Sequence, residues 1–94
     1  MATKVVNIRT GAPFDVYIGR AGHGLDGYFG NPFVGSSREA NIAMFEDYFD
    51  KRIDTDEAFR ARVLELRGKR LGCFCAPRAC HGDVIAAWLD GEAP

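Results

Sequence analysis

The sequence predicts a small α/β domain, with α+β left open, in which a sheet of about three strands is covered by three helices. Three observations carry this expectation. Two short β-rich segments stand near the start, two apolar runs at helical spacing fill the middle, and a strand, turn and helix follow in succession at the end. The 94 residues provide chain for a single modest core, so residues 1–94 read as one domain.

Lys4-Val5-Val6-Asn7-Ile8-Arg9 alternates, with Val6 and Ile8 on one face and Val5, Asn7 and Arg9 on the other, as a strand requires. Thr10-Gly11-Ala12-Pro13 carries turn chemistry, and Phe14, Val16 and Ile18 then resume the alternation. The pair reads as an N-terminal hairpin. From Gly19 to Gly35 six glycines alternate with His23, Asp26, Tyr28, Phe29, Asn31 and Phe33. A loop of this length in a compact domain is usually functional or disordered, and its aromatics argue that it packs. His23, alone among glycines, reads as a solvent residue.

Ser36-Ser37-Arg38-Glu39 fits a capping box with Ser36 as N-cap. Ile42, Phe45, Tyr48, Phe49 and Ile53 follow at helical spacing and form a core-facing stripe. Asp54-Thr55-Asp56-Glu57 interrupts it, and Phe59, Val63 and Leu66 make a second stripe ending at Gly68. The charged residues between, Arg52, Arg60 and Arg62 among them, read as solvated faces. Leu71 to Cys75 is the third strand, stopped by Pro77, and Gly82 to Leu89 is the last helix.

Twelve basic and thirteen acidic residues leave a net charge of −1, so no bulk basic field exists to drive nucleic-acid binding. No apolar run is long enough for a membrane span, and no signal-peptide pattern opens the chain. The expectation is a cytoplasmic protein. All three cysteines and one of two histidines fall within nine positions, Cys73 to His81, which argues for thiol or metal chemistry rather than a disulfide framework.

Strand periodicity puts Cys73 and Cys75 on one face, and the turn at Pro77 returns Cys80 and His81 to the strand's end. Cys73, Cys75, Cys80 and His81 could thereby hold zinc, although the C-x-C-x₄-C-H spacing is not the usual pair of knuckles and adjacent ligands strain a tetrahedron. Alternatively, Cys80 at a helix N-terminus, with His81 as base and Asp83 capping the helix or orienting the histidine, makes a catalytic thiol or a phosphate pocket. Inert packing of buried thiols is the third reading. Arg9, Arg20 and Arg78 are the cations nearest these loops, and with Asn7 and Asn31 they are candidates for binding an anion.

Several of these stretches resemble one known family. Val5-Val6-Asn7 with Arg9, Asp15 to Arg20, Gly30-Asn31-Pro32-Phe33, and Gly68-Lys69 through Leu71-Gly72-Cys73-Phe74-Cys75, Pro77 and Cys80-His81-Gly82-Asp83-Val84 are similar, in order and over nearly the whole chain, to the family called domain of unknown function 4326. Members are small bacterial and phage proteins, usually with Trp where this chain has Phe74. The resemblance implies no activity. It marks Asn7, Arg9, Arg20, Asn31, Cys73, Cys75, Cys80, His81 and Asp83 as signature positions.

The expected function is a ligand-binding or enzymatic domain with a Cys/His site holding zinc and acting on a nucleotide-like or other anionic small molecule. Two alternatives stand beside it. One is a phage-type protein-interaction module with structural cysteines and a protein partner; the other is a thiol-redox protein.

Overall fold

The computed structural model describes residues 2–22, 24–25, 27–74 and 80–91. Strands β1 (Lys4–Asn7), β2 (Val16–Tyr17) and β3 (Arg70–Cys73) form a sheet of order β1-β3-β2, and both outer strands run parallel to β3. Helices α1 (Arg38–Thr55) and α2 (Glu57–Leu64) lie between β2 and β3 in the chain, and α3 (His81–Gly91) ends it. This is the expected α/β class, but the first two strands are not a hairpin.

The reason lies in the connection. After Asn7 the chain tightens into a 3₁₀ turn, Ile8–Thr10, closed by Gly11 at φ 79°. It then crosses the outer face of β3 instead of folding back. Gly72 makes this crossing possible: a Cβ there would lie 2.8 Å from Ile8 Cγ2 and from the Phe14 ring. The strand that follows is captured on the far side of β3 by Asp15. Its backbone N–H donates to Arg70 O at 2.8 Å, and its carboxylate accepts from the Arg70 N–H and guanidinium. Those bonds, the one from the Arg70 guanidinium first and the one from its backbone N–H second, hold the Asp15 carboxyl down at about 2 against an ordinary 3.8. The unfolded chain binds this proton more readily, so the stability it lends is present above about pH 4 and is lost as pH falls toward 2. Acid unfolding followed by circular dichroism should show that limb in the wild type and a flatter one in Asp15→Asn.

The core occupies the other face. Leu71 and Cys73 of β3 and Ile18 after β2 meet Phe45, Phe49 and Ile53 of α1, Phe59 and Val63 of α2, and Ile85 and Leu89 of α3. The two middle helices arise as their stripes dictate, with small adjustments. Ser37, not Ser36, is the N-cap of α1 and accepts from Ala40 N–H, so Glu39 stands one position too early to close a capping box. Asp56 ends α1 and caps α2, accepting from Phe59 N–H at 3.0 Å. Arg52 does not lie on a solvated face: its guanidinium sits 4.0 Å from the Phe59 ring centre and donates to the Tyr48 hydroxyl. The loop aromatics pack as expected, with Phe29 buried and Tyr28 and Phe33 resting on the core. No helix among the described residues is long and apolar enough to cross a membrane.

Candidate functional site

Because the three strands are parallel, their carboxyl ends share one edge of the sheet, where open α/β sheets bind ligands. A cavity of about 480 Å³ opens there, within the size range of small-molecule sites. Cys73 comes from the end of β3, Cys80 and His81 from the start of α3, Arg20 and Asn31 from the glycine-rich loop, and Arg38 and Asn41 from the first turn of α1.

His81 fixes the chemistry. Its Nε2 lies 2.6 Å from Ile18 O. A carbonyl oxygen only accepts, so Nε2 carries the proton and Nδ1 keeps its lone pair. That lone pair faces Cys80 Sγ at 3.5 Å, and the Phe45 ring holds the imidazole edge to face at 5.1 Å. Burial pushes the imidazole below its ordinary pKa; the positive charge of Arg20 adds to this, while the bond to Ile18 opposes it. Burial thus favours the neutral ring, which can accept a proton.

Cys80 is the N-cap of α3. Its backbone N–H donates to Asp83 Oδ2 at 3.0 Å, its carbonyl accepts from Asp83 N–H, and its sulfur accepts from Gly82 N–H at 3.4 Å. The helix can begin so close to the sheet because residue 82 is glycine: a Cβ there would lie 2.5 Å from Ile18 Cδ1. A thiolate on Cys80 would face a backbone donor at the positive end of the helix. The sulfur of Cys73 stands 3.5 Å from that of Cys80, and both residues are buried thiols. Asp83 thus serves the helix start through Cys80 and is exposed to solvent.

Of the four residues expected to hold zinc, Cys75 lies outside the described residues. Zinc–sulfur and zinc–nitrogen bonds of about 2.3 and 2.0–2.1 Å place tetrahedral ligand atoms about 3.5–3.8 Å apart. The Cys73–Cys80 and Cys80–His81 contacts match two such edges. Among the described residues, however, no three His, Cys, Asp or Glu side chains are grouped to hold a metal ion.

The expected anion ligands divide. Arg20 and Asn31 reach the cavity, where Arg20 Nε and Nη2 donate to Asn31 O and Phe33 O at 3.0 Å and pin the loop. Asn31 continues this network, its Nδ2 donating to Asn41 O and its Oδ1 accepting from Phe33 N–H. Asn7 instead caps the 3₁₀ turn through Arg9 N–H, and Arg9 lies 5.1 Å over the ring of Phe74 and does not itself line the cavity. Arg78, His23 and Asp26 fall outside the described residues. The sequence reading missed Arg38 and Asn41. Their signal was a polar pair three residues apart in the first turn of a helix, directly after the glycine-rich loop. Asn41 donates through Nδ2 to Ser36 O, and its buried Oδ1 has no partner among the described residues.

A family model described as Domain of unknown function (DUF4326) matches residues 4–91. The chain belongs to that family. An uncharacterised 12.4 kDa protein in the nrdA-td intergenic region of enterobacteria phage T4 is 44% identical over 86 residues, covering 88% of this chain and 73% of its own length. No solved structure matches. Of the described residues that the resemblance marked in this DUF4326 chain, all but Asn7 and Arg9 lie at the cavity or, for Asp83, one hydrogen bond behind it.

Proposed function

We propose that the protein binds an anionic small molecule of mononucleotide type in this cavity, and that Cys80, with His81 as its proton acceptor, is the reactive group facing it. The observation that carries the reading is the orientation of His81: with Nε2 bonded to Ile18 O, Nδ1 is the nitrogen that faces the Cys80 sulfur, on the wall of a cavity that also carries Arg20 and Arg38. The arginines suit a phosphate or carboxylate. The buried Asn41 Oδ1 suits a ligand hydroxyl or amine, since a buried acceptor without a donor is costly.

Nucleophilic chemistry at Cys80 follows the usual division of labour. His81 Nδ1 takes the thiol proton, Gly82 N–H steadies the thiolate, and the imidazolium later returns the proton to the leaving group. The test is an ¹⁵N–¹H NMR titration with adenosine 5′-monophosphate and, separately, inorganic phosphate. Shifts are expected at Gly19, Arg20 and Gly82. Arg20→Met should weaken binding by roughly tenfold or more, the worth of one or two charge-assisted hydrogen bonds. Spectra that stay unchanged at millimolar concentrations of both probes would rule out the anion pocket.

A further inference from the structure

We infer that Cys73 and Cys80 act together as a dithiol that reduces small disulfides bearing carboxylates, with Cys80 attacking and Cys73 resolving. The inference rests on the reactive Cys80 proposed above and adds to it a second sulfur and a substrate class. The two sulfurs are 3.5 Å apart, one at the end of a strand and the other at the start of the helix that follows it. Both line the same cavity, so a disulfide that reaches one sulfur comes within reach of the other.

The partners of Cys80 assign it the first step. Cys80 has His81 Nδ1 to take its proton and Gly82 N–H to hold the resulting charge. Its thiolate attacks one sulfur of the substrate RSSR and forms a mixed disulfide; RS⁻ departs and recovers the proton from His81. The Cys73 sulfur then attacks Cys80 Sγ, a Cys73–Cys80 disulfide forms, and the second RS⁻ leaves with the Cys73 proton. Two electrons pass from the protein dithiol to the substrate, which ends as two thiols. Arg20 and Arg38 on the cavity wall favour carboxylate-bearing substituents.

The reduced protein, incubated with oxidised glutathione near neutral pH, tests this by intact mass and non-reducing peptide mapping. Two molecules of reduced glutathione per chain are expected, together with a bond between Cys73 and Cys80. Cys75→Ser should behave alike, whereas Cys73→Ser should stop with glutathione attached to Cys80. Cationic cystamine should react roughly tenfold more slowly, and equal rates would overturn the substrate class. A bond to Cys75, or no exchange while Cys80 still alkylates rapidly, would overturn the dithiol and leave the nucleophile reading intact. A Cys80 that fails even to alkylate would remove both.

Discussion

Phe49→Ala is expected to destabilise the protein by about 3–5 kcal/mol, the usual range for emptying a fully buried aromatic site. Phe49 has no exposed surface and sits where all three helices converge, its ring 5.7 Å from Phe45, 5.8 Å from Phe59 and 5.9 Å from Trp88. Neighbours held on three sides cannot collapse far into the void, so the cavity cost adds to the lost transfer energy. Against a total stability on the order of 5–15 kcal/mol for domains in general, this one change brings the chain close to unfolding. Urea titration should show a large fall in midpoint at nearly constant slope. A loss below about 1 kcal/mol would mean that the helical layer packs otherwise than described.

His81→Gln should lower the rate at which iodoacetamide modifies Cys80 by about a hundredfold or more, the usual contribution of a positioned general base. Glutamine can still donate to Ile18 O, yet it offers no basic nitrogen to the sulfur. Circular dichroism should report an unchanged fold, which separates lost chemistry from lost structure. In the wild type the reaction should slow as pH falls through the lowered pKa of His81, because a protonated ring cannot accept the thiol proton. Burial places that limb below the ordinary 6.5, so the reactivity should persist into mildly acidic solution. Peptide mapping identifies which cysteine reacts. An unaltered rate in His81→Gln would break the link between imidazole and thiol.

Much of this was legible in the residues because it depends on local rules. Helical spacing found Phe45, Phe49, Ile53, Phe59 and Val63, all buried, and the order of strand then helix matches the meeting of Cys73 with Cys80 and His81, while the turn expected at Pro77 lies outside the described residues. What failed was non-local. Alternation cannot say which strand a segment pairs with, and Thr10 to Pro13 looks the same whether the chain folds back or crosses β3. The deciding features, the absent side chain of Gly72 and the capture of Arg70 by Asp15, involve residues 55 or more positions away in sequence. Arg38 and Asn41 were hidden for a similar reason. A polar residue in a first helical turn is ordinary until the fold sets a cavity against it.

The orientation of the His81 ring is the most direct test of the account, and ¹⁵N NMR of histidine-labelled protein at pH 7 reads it. The expected spectrum shows a neutral ring with the proton on Nε2 and a bare Nδ1. A proton on Nδ1, or a charged ring, would leave Cys80 without its acceptor and contradict the site as described.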